Sequence, residues 1–239
     1  MNDKPILFSA PMIRALLAGT KTQTRRTSGL ADVNENPDAW SLHNVGPLGY
    51  MAKPSAKGKL GATFESRQIE PGALHVCPQR IPIAPGDRLW VKETWRVRSE
   101  FNHLSPTKIG EDEGAKSAIG VWYEADDNKG TLIELGRTRS SIHMPRWASR
   151  LTLMVTDVRV QRLQEISEMD AKAEGARPDR YGGGMAGMYA WAGLDPDAYA
   201  RGFRTLWDSI NGPDAWDQNP WVAAYSVDVH RGNIDQMGG

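Results

Sequence analysis

The chain has 239 residues, enough for one substantial core, and its 40% hydrophobic and 24% charged content is that of a folded globular protein, which excludes disorder throughout. Lysine plus arginine and aspartate plus glutamate are 29 each, so net charge gives no reason to expect a nucleic-acid partner, and any basic surface must come from uneven distribution. The single cysteine, Cys77, excludes an internal disulfide, and no CxxC, HxxxH or second Cys/His cluster completes a tetrahedral set with it and His75, so neither a metal nor a cofactor is expected.

Taken in chain order, Ser9 before Pro11 is a helix-start signal, and Met12, Ile13, Leu16 and Leu17 form an apolar stripe that Gly19 terminates. Immediately beyond it, positions 20–26 crowd Lys21, Arg25 and Arg26 among Thr20, Thr22 and Thr24. A lysine becomes a general base only if its pKa falls, and neighbouring arginines and burial both act in that direction. A threonine hydroxyl three residues away is then a candidate nucleophile. On a regular strand, however, Lys21 shares its face with Gln23 and Arg25, an arrangement suited to phosphate, whereas sharing a pocket with Thr24 requires a turn or a bulge.

Residues 27–84 are rich in Gly, Pro, Asn and Ser with weak periodicity and read as a long excursion carrying short elements of its own. Arg88 to Arg96 alternates Leu89, Val91 and Glu93 against Trp90, Lys92 and Thr94, a strand entered through the Gly86-Asp87 turn. Residues 99–117 read as a polar loop. Ile119 to Ala125 predicts a strand with a hairpin partner at Thr131 to Leu135. Arg150 to Val160 is the clearest strand of the chain, with a bulge expected near Thr156-Asp157.

Ser167 is expected to cap a short helix, with Asp170 at the capping-box position and Gly175 as the stop. Glu174 then falls at the helix C-terminus, where the dipole disfavours a negative charge by roughly 0.3–1 kcal/mol, so it must be solvated or held by a cation. The Gly-rich stretch 182–194 reads as a flexible loop or lid. Pro196 to Asn211 predicts a helix with Tyr199, Phe203, Leu206, Trp207 and Ile210 at helical spacing. Trp221 to Val229 predicts the last strand, and the tail after His230 is expected to be mobile. True βαβ repeats are missing, so the pattern favours an α+β mixed barrel over a doubly wound sheet.

Three segments carry a resemblance: Pro5 to Met12 leading through Leu16-Leu17-Ala18-Gly19 into Lys21-Thr22-Gln23-Thr24-Arg25-Arg26; Pro85-Gly86-Asp87 running to Trp95; and Ile166 to Gly175, followed by the Phe203 to Trp207 helix and Asn219-Pro220-Trp221. Together, in this order, they resemble the ASCH domains, PUA-like proteins linked to RNA, and within them the N4-acetylcytidine amidohydrolases. The resemblance implies an α+β fold, a PUA-like small mixed β-barrel with flanking helices and long loop insertions. It makes the whole of 1–239 one domain, with insertions at about 27–84 and 97–141. It also implies Lys21, Thr24 and Glu174 as catalytic residues and suggests a phage or mobile-element origin.

The substrate implied is an N4-acylated cytosine nucleoside or related modified base, hydrolysed without metal: threonine attacks the carbonyl, lysine moves the proton, and glutamate positions the lysine or binds the base. An oxyanion donor is also needed, and Arg25, Arg26 or a backbone amide after Gly19 could supply it. Thr22 and Glu93, inside the two motifs, join these as candidate substrate-binding residues.

A second basic cluster, Arg137, Arg139, Arg146 and Arg150, contains no acid. It adds Arg146, His143 and the base-stacking candidates Trp147 and Trp95 to the substrate-binding set. If it lies with the first cluster, the two form a phosphate-attracting track, so the competing readings are a non-catalytic RNA- or single-stranded-DNA-binding module and an ASCH-type ribonuclease. No long apolar run marks a membrane partner, and a cytoplasmic location is expected.

Overall fold

The computed structural model describes residues 2–67, 76–111, 120–126, 135–179 and 197–237. In chain order its elements are β1 (Asp3–Leu7), α1 (Ala10–Leu17), β2 (Gln23–Arg26), α2 (Ala31–Asn34), β3 (Trp40–Pro47), β4 (Leu60–Ser66), β5 (Val76–Arg80), β6 (Arg88–Lys92), β7 (Trp95–Arg96), α3 (Pro106–Glu111), β8 (Trp122–Tyr123), β9 (Leu151–Arg162), α4 (Glu168–Ala173), α5 (Ala198–Asn211) and β10 (Trp221–Arg231). The fold is mixed α+β. The expected barrel is not observed: among the described residues the strands form open sheets and none closes. No described helix is long and apolar enough to cross a membrane.

The chain divides into two compact units, one of residues 1–20, 86–155 and 227–239, the other of 21–85 and 156–226. In the first unit, β1 pairs parallel with β6 from Asp3↔Arg88 to Leu7↔Lys92, and β6 pairs antiparallel with β9 at Leu89↔Leu153. The alternation read from the sequence is obeyed: Leu89, Val91, Leu151 and Leu153 are buried. The expected strand over 88–96 is interrupted after Lys92, and Trp95-Arg96 forms a separate two-residue strand paired with β8. Trp95, Val97, Ile109, Met144 and Ala148 close a small core of their own. Ile109 comes from α3, a helix inside what reads as polar loop; its single buried apolar side chain supplies almost no periodic signal. The expected hairpin partner at 131–135 lies outside the described residues except for Leu135, which bridges to Arg98.

The tail after His230, expected to be mobile, is tied down. Asn233 Nδ2 donates to the carbonyls of Arg146, Trp147 and Ser149, Asp235 accepts from Arg146, and Ile234 is fully buried. One side-chain amide and one apolar anchor suffice here, and neither produces a periodic pattern.

In the second unit, β10 pairs antiparallel with β2 in unbroken register from Ala223↔Arg26 to Ser226↔Gln23. The excursion over 27–84 holds an antiparallel sheet in the order β3-β4-β5, with a register shift between Leu42 and Asn44 that spoils the two-residue period. Gly29, at φ +87°, lies where a Cβ would meet the Arg80 carbonyl oxygen at 2.3 Å, so this turn requires glycine.

The core of this unit gathers Leu163, Ile166, Ala171, Phe203, Trp207 and Val222, which places α4 and α5 side by side and confirms the helical spacing of Phe203 and Trp207. Glu168 joins the two helices by accepting the Tyr199 and Ala200 backbone N–H groups at 3.0 and 2.8 Å, satisfying orphan donors at the start of α5. The Gly-rich stretch 182–194 lies outside the described residues.

Candidate active site

The site is built from one short strand and one short helix of the second unit. Gly19, at φ +71°, ends α1, and Lys21 follows two residues later, before β2 begins at Gln23. On α4, the Ser167 hydroxyl accepts the Asp170 backbone N–H as expected of the cap, and Gly175, at φ +80°, stops the helix. Glu174 is therefore fixed at the helix end by a stop glycine, and its backbone bridges to that of Lys21. The adjacent Thr22 N–H donates to the Ala173 carbonyl at 2.8 Å.

The side chains complete this junction. Lys21 Nζ donates to Glu174 Oε2 at 2.7 Å and to the Glu174 carbonyl at 2.8 Å. Arg25 donates to the other carboxylate oxygen, Oε1, at 3.0 Å, to Gln23 Oε1 at 2.8 Å and to Asp170 Oδ2 at 3.1 Å. Gln23 and Arg159 also donate to Asp170. Lys21 and Arg25 are 1% and 2% exposed and Glu174 is 3% exposed, so Glu174 is held by cations and not by solvent, one of the two outcomes its place at a helix end allows.

Burial pushes the Lys21 pKa below the ordinary lysine range, against the pull of Glu174 and with help from Arg26 and Arg25. Asp170 goes the other way. Its partial burial raises the carboxyl pKa, but the hydrogen bonds from Arg159 and Gln23, with Arg25 nearby, outweigh that and hold it low.

Thr24 is not part of this hydrogen-bonded set. β2 is a regular strand, so Gln23 and Arg25 turn toward Glu174 and Asp170 while Thr24 leaves the opposite face, beside its register partner Tyr225. Over Gln23–Arg26 no bulge interrupts the pairing with β10, so alternation sends Thr24 away from the face that Gln23 and Arg25 share. Thr24 Oγ1 is buried without a hydrogen-bond partner, and so is the Tyr225 hydroxyl.

The remaining sequence candidates divide. Thr22 is exposed, and Arg26 is half-buried on the Thr24 face. Glu93, Trp95, His143, Arg146 and Trp147 belong to the first unit. There Glu93, 1% exposed, accepts a bidentate pair from Arg150 at 2.9 and 3.0 Å, and Arg150 in turn grips both oxygens of Asp126. Burial raises the Glu93 pKa, against Arg150. Trp95 is fully buried, edge-on to Trp147 at 6.0 Å, so it offers no ring face to a base. His143 is exposed at a short turn.

In the second basic cluster three of the four arginines, Arg139, Arg146 and Arg150, are engaged within the protein. Arg139 donates to the Phe101 and Leu104 carbonyls, and Arg146 pairs with Asp3 and Asp235. Asp170, Arg159 and Tyr225 are the site residues to which sequence reasoning assigned no role in the chemistry: Asp170 is marked only as a cap position, and nothing local marks the other two. Gln23, expected beside Lys21 and Arg25 on a phosphate-suited face, instead turns with them toward Glu174 and Asp170. Among the described residues no group of three or more His, Cys, Asp or Glu is placed to hold a metal. Compared with protein-family models, curated proteins and solved structures, the chain shows no match.

Proposed function

We propose that the protein is an amide hydrolase acting on an N4-acylated cytosine nucleoside or a related modified base, with Lys21, Thr24 and Glu174 as its working groups and no metal. The observation that carries this reading is the buried Lys21–Glu174 pair. A carboxylate fixes a lysine whose burial favours the neutral, proton-accepting form, next to a strand that also carries a buried, unpartnered threonine hydroxyl. The ASCH resemblance of the segments around Lys21 and Glu174 supplies the substrate class.

The chemistry runs in two stages. Thr24 Oγ1 attacks the acyl carbon while Lys21 takes its proton, and the carbonyl π pair moves onto oxygen. As that oxyanion collapses, the C–N4 bond breaks, Lys21 returns the proton to N4, cytidine leaves, and the acyl group remains as an ester on Thr24. Water, deprotonated by Lys21, then attacks the ester; the acyl C–Oγ1 bond breaks, Lys21 returns the proton to Thr24 Oγ1, and the carboxylic acid leaves. Thr24 Oγ1 and Lys21 Nζ are not hydrogen-bonded in this structure and leave opposite faces of the segment. Because β2 is the edge strand of its sheet, the proposed step requires Lys21, just before the strand, to reach Thr24 around that edge.

The RNA- or DNA-binding alternative loses support from the ion pairing of Arg146 and Arg150 with carboxylates and from the tethering of the Arg139 guanidinium to backbone carbonyls. The ribonuclease alternative has no acid/base pair beyond the same residues.

The test is ultraviolet detection of N4-acetylcytidine converting to cytidine with and without a chelator. Wild type is expected to turn over equally in both, and Lys21→Ala and Thr24→Ala are each expected to lose at least about a hundredfold in rate. Turnover unchanged by Lys21→Ala would place the chemistry elsewhere.

A further inference from the structure

The hydrolytic reading leaves the oxyanion donor unassigned, and the geometry removes Arg25, one of the three candidates that the sequence offers. Both terminal nitrogens of Arg25 are committed, Nη1 to Gln23 and Glu174 and Nη2 to Asp170. On the other face of β2 the situation is reversed. Thr24 and Tyr225 are register partners on β2 and β10, so their side chains leave the sheet on the same side with Cβ atoms about 4.5–5.5 Å apart. Thr24 is 2% exposed and Tyr225 0%, yet neither hydroxyl has a hydrogen-bond partner, so they do not bond to each other either. Buried side-chain hydroxyls are rarely left unpaired in proteins, and two on adjacent strands, one of them the proposed nucleophile, call for a common partner.

We propose that Tyr225 is the hydrogen-bond donor to the acyl oxygen of the substrate, the oxyanion-stabilising partner of Thr24. The inference rests on the hydrolase reading. A phenol is suited to the role because it has one O–H to give and a ring that fixes its direction. Burial pushes the Tyr225 pKa above the ordinary tyrosine value, against Arg26, so the hydroxyl keeps its proton and serves as a donor across the neutral range. Both hydroxyls are sealed from solvent, so the side chains over them must part for substrate to reach them.

The experiment compares wild type and Tyr225→Phe on N4-acetylcytidine and on its N4-thioacetyl analogue, whose sulfur is a weak acceptor. With the oxygen substrate, Tyr225→Phe is expected to lower kcat by about 10²–10³-fold with little change in KM. With the sulfur substrate the loss should shrink to a few-fold, a difference that a purely structural role would not produce. Tyr225→Phe should unfold no earlier than wild type, because it deletes an unpaired buried hydroxyl. Equal losses on the two substrates, or an unchanged kcat on the oxygen substrate, would overturn the assignment of Tyr225 alone. Absence of turnover by wild type on either would overturn the hydrolase reading beneath it.

Discussion

Replacing Glu174 with glutamine tests the buried ion cluster most directly, since the substitution keeps size and one acceptor while deleting the charge. The carboxylate holds Lys21 at 2.7 Å and Arg25 at 3.0 Å, and its side chain is 4% exposed against 1% and 0% for theirs. Neutralising it leaves two buried cations facing an amide, and removing one side of a buried pair costs about 3–5 kcal/mol. For a chain of this size that corresponds to roughly 6–20 °C in the midpoint of the transition that unfolds this unit. Lys21→Met should cost less, because Glu174 retains Arg25.

The double variant Lys21→Met/Glu174→Gln should be more stable than the sum of the single losses by about 1–3 kcal/mol, the coupling expected of groups in contact. The pH dependence has a definite sign. In Glu174→Gln, Lys21 sheds its proton in the folded state more readily than in the unfolded chain, so the unfolded state binds more protons and stability rises with pH up to the ordinary lysine value. Urea unfolding followed by tryptophan fluorescence at several pH values measures all of this. Single effects that simply add, or a Glu174→Gln variant within about 0.5 kcal/mol of wild type, would refute the claim that these charges are paired and buried in solution.

Two further expectations follow from the first unit. The hydrogen bond from Arg88, with that from Arg146, holds the Asp3 carboxyl below its ordinary value against desolvation, so its stabilisation is present above the unfolded carboxyl pKa of about 4 and is lost as pH falls through the lower folded value. Asp3→Asn should flatten the acid limb of a plot of urea midpoint against pH, and an unaltered limb would show that Asp3 is not linked to folding. With Arg146 and Arg150 neutralised by carboxylates, a labelled single-stranded oligonucleotide should bind weakly even at low salt. Tight binding that falls steeply with salt, by about 0.7 log units per log unit of salt for each neutralised phosphate, would restore the nucleic-acid reading.

Local rules carried the sequence a long way where a single element decides its own form. The cap at Ser167, the stops at Gly19 and Gly175, the apolar stripe of 198–211 and the strand over 151–160 are each set by steric or hydrogen-bonding preferences within a few residues, and each is found where those preferences put it. β1 carried no such mark. Its burial pattern shows one buried residue in five, because pairing with β6 and not apolar alternation makes it a strand.

The site divides in the same way. Lys21 and Glu174 could be named from their chemistry and setting, but 153 residues separate them, and only the bridge between their backbones and the charge of Arg25 make them partners. The face taken by Thr24 was likewise undecidable from residues 20–26 alone, since a bulge and a regular strand fit the same sequence. Pairing with β10 decides it, putting Gln23 and Arg25 against Glu174 and Asp170, and Thr24 against Tyr225. Side-chain identity and short-range periodicity are properties of the chain; the face a residue presents, and the charge that answers it, belong to the sheet, because register is fixed by a partner strand distant in sequence.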